Sequence, residues 1–226
     1  MKMKRAFGQV AVAFLACAAA MTAWLPANAN GSPAPSAPTA AALVAEMAQR
    51  THGLNSYTAR VHFDTDVHAF VDLHPALDAS YYFKRPDKVE LVFDSLPALG
   101  RQFQHLYASQ GTPETWPQTY DIAYATPAED GKSFFLQLVP KKQGNVDRIA
   151  VTVDRQTLTV VATQWRYRSG GVITMSQQSR RVGDFVLPQT QTADFSLPSY
   201  KAHVVSTYSD YRLNAVIPDS IFTDGG

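Results

Sequence analysis

The chain has 226 residues, of which 46% are hydrophobic and 17% are charged, and its formal net charge at pH 7 is +1. This length and this apolar content suffice for one domain with a sizeable core. The basic residues form no run or patch after the first few positions, which argues against a nucleic-acid partner. Cys17 is the only cysteine, so the chain after residue 17 can hold no disulfide, thiolate metal site or cysteine nucleophile.

Residues 1–29 have the features of a cleaved secretory signal peptide. Three of the first five residues are basic, residues 6–25 are almost entirely apolar, and small residues precede a cleavage site after Ala29. Two alternatives stay open, which are an uncleaved membrane anchor and lipidation at Cys17. Cleavage would remove three basic and no acidic residues, leaving 17 basic against 19 acidic residues and a formal charge of −2.

The domain organisation follows from a change in composition after the leader. Residues 30–39 are rich in Pro, Ala and Ser, which predicts a flexible linker. Residues 40–226 have the length of a single domain. This domain opens with good helix formers and an apolar stripe at residues 41–49, which predict a helix, and Gly53 marks its end.

From residue 57 onwards the hydrophobic period changes from about 3.6 residues to 2, which predicts β-strands. Strands at 57–69, 77–85 and 89–93 are separated by short turns. Residues 99–107 place apolar side chains on one side of a short amphipathic helix. The further predicted strands are 120–125, 134–139, 148–154, 158–167, 172–178, 185–195 and 200–213. The chain therefore predicts nine or ten strands and about two helices.

Nearly every predicted strand has one polar and one apolar face. Short turns at Asp130–Gly131 and Gly170–Gly171, together with the absence of βαβ alternation, predict antiparallel pairing. The apolar face cannot stay open to water, so the sheet must close as a barrel or sandwich, or curl around helices. The fold class is therefore α+β, dominated by β-structure.

Arg85 is the exception on the apolar face. In the strand 77–85 the residues with the parity of Leu77 are apolar up to Phe83, and Arg85 ends this row directly before Pro86. A guanidinium that faces an apolar surface needs a partner, because an unpaired buried charge is very costly.

Four stretches resemble, in chain order, the LolA-like family of bacterial outer-membrane lipoprotein carriers. Residues 82–89 (YFKRPDKV) are similar to the family's strand, KRP, turn and strand signature, and residues 138–142 to its L-x-P-K strand end. Residues 149–154 with 157–171 resemble the family's hairpin of a hydrophobic strand, an aspartate, a second strand and a glycine. Residues 217–222 resemble the segment that ends the family's domain. The resemblance covers most of residues 40–222, and the chain departs from the carrier pattern between residues 93 and 120.

The resemblance implies a single curved antiparallel sheet, a half-barrel, whose concave apolar face is covered by helices and encloses a cavity for acyl chains. It also implies a periplasmic protein that carries lipoproteins or lipids from an inner-membrane donor to an outer-membrane acceptor, as a monomer and without a cofactor. The arginine of the KRP motif, which is Arg85 in this chain, would bind the helical cover as a latch. We expect its partners to be backbone carbonyls of residues 99–107, in preference to a carboxylate. A structural ion pair at the strand end is the alternative role.

The expected site residues share the face of Arg85 or the equivalent face of the neighbouring strand. The residues predicted to line an acyl cavity are Val61, Phe63, Tyr81, Phe83, Val89, Leu91 and Phe93, and those predicted to form the lid over it are Leu99, Phe103 and Leu106. Two other functions stay open, which are a periplasmic sensor or structural protein whose sheet is filled by its own helices, and a hydrolase with an unrecognised site.

No catalytic or metal-binding motif supports the hydrolase. His62, Asp64, Asp66 and His68 lie along one strand face, where successive members of such a row stand about 6.5–7 Å apart, so one ion cannot bind all four. These four residues lie on the polar face of the predicted strand, where side chains are normally solvated. The six histidines show no HExxH spacing, and the chain has neither a nucleophile elbow nor a phosphate loop.

Overall fold

One antiparallel β-sheet dominates the computed structural model, which describes residues 38–68, 72–95 and 111–222. Helix α1 spans Ala40–Arg50, the short helix α2 spans Trp116–Thr119, and a 3-10 turn at Asp219–Phe222 closes the described chain. The strands are β1 Ser56–His68, β2 Asp72–Leu73, β3 Ala76–Lys84, β4 Lys88–Phe93, β5 Tyr120–Glu129, β6 Ser133–Pro140, β7 Val146–Asp154, β8 Val160–Tyr167, β9 Val172–Val182, β10 Phe185–Ser196 and β11 Lys201–Leu213.

The strand order brings the two ends of the domain together inside the sheet. It runs β4-β3-β1-β11-β10-β9-β8-β7-β6-β5, with the two-residue β2 paired to β1. The first strand therefore pairs with the last, and Val61 lies opposite Tyr208. All other neighbours are joined by hairpins or short connections, except that β4 and β5 lie at opposite ends of the order.

The sheet is strongly curved. Six strand spacings separate β4 from β8, which corresponds to about 29 Å in a flat sheet with strands about 4.8 Å apart. Val89 of β4 and Trp165 of β8 nevertheless line the same cavity of about 240 Å³. Only a sheet that bends its apolar face inwards can bring these two side chains to one small space.

Helix α1 covers part of the apolar face. It begins at Ala40 because the side chain of Thr39 accepts a hydrogen bond from the amide of Ala42 at 3.2 Å, which satisfies one of the free N–H groups of the first turn. Its apolar side, with Leu43, Val44 and Met47, is buried in the same core as the inward-facing residues of the strands. The helix thus removes apolar surface of the sheet from water.

The C-terminal turn is attached to the β3–β4 hairpin by an ionic contact. The ammonium groups of Lys84 and Lys88 lie 3.0 and 2.9 Å from the same carboxylate oxygen of Asp219. These two hydrogen bonds lower the pKa of Asp219 below its ordinary value. Lys84 and Lys88 flank Arg85 in the sequence, so one stretch of chain contacts both the end of the domain and the cavity described below.

The predicted fold class is confirmed, with corrections in detail. The predicted helix at 41–49 is α1, and the sheet is a single antiparallel one. It has 11 strands where nine or ten were predicted, because Asp72 and Leu73, which lie between the predicted strands 57–69 and 77–85, pair with the end of β1. Strand β3 ends at Lys84 and leaves Arg85 in the following turn, so the prediction that Arg85 is the last strand residue is wrong.

Several predictions fall on residues that the structure does not describe. These are the signal peptide at 1–29, residues 30–37 of the linker, and the amphipathic helix at 99–107. Among the described residues, no helix combines the length and the hydropathy that a membrane span requires.

Candidate functional site

A cavity of about 240 Å³ lies on the concave face of the sheet, beside residues 111–114. Most of its lining is apolar and aromatic: Leu54, Tyr57, Tyr81, Phe83, Pro86, Val89, Trp165, Met175, Leu187, Pro188 and Tyr208. The remaining lining residues are Thr51, Arg85, Gly111, Thr112, Pro113, Glu114, Gln177 and Gln191. Two other depressions, of about 340 and 320 Å³, together contain one aromatic residue in their walls, so the concave cavity is the better candidate for an apolar ligand.

Stacked aromatic rings form one wall of this cavity. The ring centroid of Tyr57 lies 5.5 Å from that of Tyr81 and 5.1 Å from that of Phe83, and Tyr208 meets Tyr81 edge-on at 5.8 Å. Burial raises the pKa of Tyr57 well above its ordinary value and that of Tyr81 to about 12. Both phenols stay uncharged far above neutral pH, and the wall is suited to an apolar ligand.

A chain of hydrogen bonds crosses another part of the lining. The hydroxyl of Tyr208 donates to Oε1 of Gln191 at 2.6 Å, and Nε2 of Gln191 donates to Oε1 of Gln177 at 2.7 Å. Nε2 of Gln177 donates in turn to Oγ of Ser179 at 2.9 Å. The two glutamines lie directly opposite each other on β10 and β9, which explains why the buried amide of Gln191 and the half-buried amide of Gln177 satisfy one another.

Arg85 joins three parts of the structure at the edge of the cavity. Its guanidinium donates to Oε2 of Glu114 at 2.6 Å and to the backbone carbonyl of Thr51 at 3.0 Å. Thr51 is the C-cap of α1, where a cation interacts favourably with the helix dipole. The backbone amide of Arg85 donates to the carbonyl of Asn55 at 2.9 Å. Arg85 therefore holds the β3–β4 turn to the end of α1 and to Glu114.

The segment that carries Glu114 is fixed to the same turn by a second contact. The hydroxyl of Thr112 donates to the carbonyl of Pro86 at 2.8 Å. Within the segment, the hydroxyl of Thr115 donates to the carbonyl of Thr112 at 3.2 Å. We call residues 111–115 the cavity segment. Two contacts, one of them ionic, connect it to the β3–β4 turn.

Comparison with known proteins gives matches among solved structures. No family model and no curated protein matches the sequence. A domain named as an outer membrane lipoprotein-sorting protein domain, from Vibrio parahaemolyticus, has a TM-score of 0.62 at 14% identity, over 81% of this chain and 95% of that one. A LolA superfamily protein from Nitrosomonas europaea has a TM-score of 0.58 at 14% identity, over 83% and 99%. The chain has the LolA-like fold. A DUF1329 family protein from Desulfovibrio piger is also similar, with a TM-score of 0.54 at 14% identity, over 81% and 95%.

In this LolA-like fold, part of the predicted site lies around the cavity. Tyr81, Phe83 and Val89 line it together with Arg85. The partners of Arg85 are the carbonyl of Thr51 and the carboxylate of Glu114, whereas we expected carbonyls of residues 99–107 in preference to a carboxylate. Residues 96–110 lie outside the described part of the chain, so the described partners come from α1 and the cavity segment.

The other predicted cavity residues lie elsewhere. Val61 and Leu91 belong to the packed core and are each 1% exposed. Phe63 and Phe93 pack against each other with ring centroids 5.5 Å apart. These four side chains do not contribute to the lining of the cavity. The predicted lid residues Leu99, Phe103 and Leu106 fall outside the described residues.

Most of the lining residues were not among the predicted site residues, and these include Trp165, Gln177, Gln191 and Tyr208. The alternation that placed Arg85 holds for the two glutamines as well. Gln177 has the parity of the buried Ile173 and Met175 in β9, and Gln191 has that of the buried Ala193 and Phe195 in β10. A polar side chain within an apolar row was therefore a usable signal in both strands.

The histidines of β1 are paired with carboxylates on the outer face of the sheet. His62 lies 2.9 Å from Asp78 and 3.4 Å from Asp64, and His68 lies 2.9 Å from Asp72. Among the described residues, no group of three or more His, Cys, Asp or Glu side chains is placed to hold a metal ion.

We predict that the pairing of His62 with Asp78 stabilises the fold at low pH. The hydrogen bond to Asp78, with the charge of Asp64, raises the pKa of His62. The stabilisation is complete below the unfolded pKa of about 6.5 and is lost as the pH rises through the higher folded pKa. Asp78→Asn should lower the free energy of unfolding by about 0.2–1 kcal/mol at about pH 5.5, and by less at about pH 8.5.

Urea unfolding at the two pH values measures this difference. Asp121→Asn makes the same chemical change at an exposed residue of β5 and serves as the control. An equal loss of stability at both pH values for Asp78→Asn would contradict the prediction.

Proposed function

We propose that the protein is a periplasmic carrier that binds an acyl chain of a lipid or lipoprotein in the concave cavity and transfers it towards the outer membrane. The observation that carries this proposal is the largely apolar cavity with an aromatic wall on the inner face of a LolA-like sheet, with the Arg85–Glu114 pair at its edge. Each methylene that leaves water stabilises the complex by about 0.8 kcal/mol, so one long chain supplies useful affinity without covalent chemistry.

The cavity volume defines what this state of the protein can hold. At about 240 Å³ the cavity lies below the roughly 300–1,000 Å³ that is typical of sites for drug-sized ligands. It therefore suits part of one chain. Burial of a longer chain requires the cavity segment to move away from the β3–β4 turn, which breaks the contacts of Arg85 with Glu114 and of Thr112 with Pro86. In this proposal Arg85 is the latch, and Leu99, Phe103 and Leu106 belong to the lid.

The cellular setting of the proposal comes from the leader. Residues 1–29 have the composition of a signal peptide that directs export, and residues 30–39 would connect it to the domain. We infer that the protein works as a monomer between an inner-membrane donor and an outer-membrane acceptor. The names of the similar proteins from Vibrio parahaemolyticus and Nitrosomonas europaea support this setting.

Native mass spectrometry of the protein purified from its own cell envelope tests the proposal. The expected result is a population with an added mass that dissociates on collisional activation and that is identified as an acylated molecule. A mass of the polypeptide alone, under conditions in which a known lipid complex stays intact, would contradict the carrier function.

A second candidate function is a sensor or structural protein without a transported ligand. The small cavity favours it, because most of the concave face is already filled by packed side chains such as Val61 and Leu91. If this is the function, native mass spectrometry of the purified protein should give the mass of the polypeptide without an added ligand. This function also predicts that alanine substitutions of Phe83 and Tyr81 change stability and leave the cellular activity of the protein intact.

A further inference from the structure

A second space lies directly beside the concave cavity. It is the depression of about 320 Å³, formed by the end of α1, the cavity segment, the β7–β8 turn and the β9–β10 hairpin, and we call it the side chamber. Thr51, Pro113 and Gln177 line both spaces, so the two are neighbours. The charged residues of the side chamber are Arg50, Arg181 and Asp184.

Strand β9 runs from the concave cavity to the side chamber. Alternate side chains share one side of a strand, so Met175, Gln177 and Arg181 lie on the same side of β9. Met175 lines the cavity, Gln177 lines both spaces and Arg181 lines the side chamber. The six residue steps from Met175 to Arg181 span about 20 Å in an extended strand. Along this distance the row changes from apolar to polar to cationic.

The cation at the end of this row is available to a ligand. Arg181 is exposed and makes no ion pair with a carboxylate of the described residues, although Asp184 lines the same chamber. Arg50 lies 3.5 Å from Glu46, but the two side chains are 56% and 55% exposed, so this pair is weak. Two arginines and one aspartate therefore give the side chamber a formal charge of +1.

We propose that the ligand is an anionic amphiphile, whose acyl chain occupies the concave cavity and whose carboxylate or phosphate group binds Arg181 in the side chamber. The inference rests on the proposed function and names the chemistry of the polar end of the same ligand. A chain that lies beside Met175 places its polar end past Gln177 and towards Arg181. There an anion gains charge-assisted hydrogen bonds from the guanidinium, which a neutral head group does not.

The cavity segment connects this inference to the opening of the cavity. Pro113 belongs to that segment and lies at the boundary between the two spaces. The movement of the segment that admits a longer chain therefore also opens the boundary through which the chain and the head group of one molecule are joined.

Two neighbouring arginines provide a matched pair of variants. Arg181→Gln removes the cation from the side chamber. Arg180→Gln makes the same change at the preceding residue, which is also exposed, lines neither space and places its guanidinium 5.5 Å from the ring centroid of Tyr211. Affinities of the full chain are measured for decanoate, decyl phosphate and decanol, which differ in their polar ends, by displacement of the apolar dye N-phenyl-1-naphthylamine.

The expected result is a loss of affinity that is confined to the two anions. The unaltered protein should bind decanoate and decyl phosphate more tightly than decanol. Arg181→Gln should weaken both anions about three- to fivefold, as expected for one exposed ionic contact, and leave decanol unchanged. Arg181→Lys should retain most of the preference, because it keeps the charge. A larger loss for decyl phosphate would identify a phosphate head group, and a larger loss for decanoate a carboxylate.

The control and the neutral ligand decide against the inference if they respond as well. Arg180→Gln should leave all three affinities unchanged. Equal losses for decanol and the anions in Arg181→Gln, or the same loss of anion affinity in Arg180→Gln, would overturn the inference.

A second measurement uses the unaltered protein and so does not depend on the folding of a variant. The ratio of the affinity for decyl phosphate to that for decanol should fall about two- to threefold between about 0.1 and 1 M NaCl, because salt screens exposed charges. Taking the ratio removes the effect of salt on burial of the chain, which both ligands share. A ratio near one, or one that salt does not change, would overturn the inference and leave apolar binding intact. Failure of the protein to bind the dye and all three ligands would instead overturn the proposed function.

Discussion

Val89→Trp should lower the affinity of the cavity for an acyl chain by more than tenfold. Val89 lies on β4, lines the cavity, and is half-buried against the core. An indole at this position projects into a space of about 240 Å³ and leaves little room for a ligand. Displacement of only two methylenes from the cavity costs about 1.6 kcal/mol, which is already more than tenfold in affinity.

The opposite face of the same strand provides the control for this experiment. Val92 is 44% exposed and points away from the core, so Val92→Trp adds the same side chain outside the cavity. Because β4 lies at the end of the strand order and Val89 is only partly buried, we expect overpacking to cost no more than about 1–3 kcal/mol of stability. Affinities are measured for the apolar dye N-phenyl-1-naphthylamine and, by its displacement, for decanoate. If Val89→Trp binds both with the affinity of the unaltered protein, or if Val92→Trp loses as much affinity, the cavity is not the binding site.

The strands were predictable where alternation and turn residues agree. Residues 77–85 and 89–93 combine a clear apolar row with the turn at Pro86, and both strands form in the structure. Strand β5 was predicted to end at Ala125 but extends to Glu129. It is the last strand in the order, where a proline such as Pro127 is tolerated because its missing N–H removes no bond from a central ladder.

Strand β9 shows a different reason for an incomplete prediction. It was predicted to end at Gln178 and extends to Val182, where Gly183 with φ +58° and Asp184 form a two-residue turn into β10. Beyond Gln178 the strand has few buried residues, because Arg180 and Arg181 are both exposed. The hydrophobic alternation on which the prediction rested therefore ends before the hydrogen-bonded ladder does.

The site was predictable one strand at a time and not as a whole. Parity placed Tyr81, Phe83 and Arg85 towards the apolar face because each position depends only on its own strand. The meeting of Val89 with Trp165 depends instead on the curvature accumulated over the six spacings between β4 and β8. Periodicity contains no information on that curvature, so the predicted site missed the far wall of the cavity.

In the proposed carrier function, breaking the hydrogen bond between Arg85 and Glu114 would open the small cavity to a longer chain. The side chain of Arg85 is 22% exposed and that of Glu114 is 42% exposed, so the pair is not deeply buried. Such pairs contribute little to global stability, typically about 0–1 kcal/mol. Their loss is therefore small compared with the free energy that a buried acyl chain supplies. The contact is suited to hold the cavity segment closed and to open when a ligand enters.

We predict that Arg85→Leu increases the rate of ligand release more than it lowers stability. Without the guanidinium the cavity segment loses its contact through Glu114 and keeps that of Thr112 with Pro86. We expect release to be about three- to fivefold faster, corresponding to about 0.6–1 kcal/mol for a partly exposed ion pair, and a smaller loss of unfolding free energy, because the leucine adds apolar burial in the folded state. Stopped-flow transfer of a fluorescent fatty acid to acceptor vesicles measures the release rate, and urea unfolding measures the stability.

A second ion pair of the same kind serves as the control. Nη1 of Arg155 lies 2.7 Å from Oε2 of Glu129, with both side chains about as exposed as Glu114, and neither residue lines the cavity. Arg155→Leu should leave the release rate unchanged. If Arg85 acts through Glu114, then Glu114→Gln should also speed release, and the double variant should add little to either single change. A loss of stability in Arg85→Leu with unchanged release would assign Arg85 the structural role of an ion pair at the strand end, because a latch must act on the kinetics of the ligand.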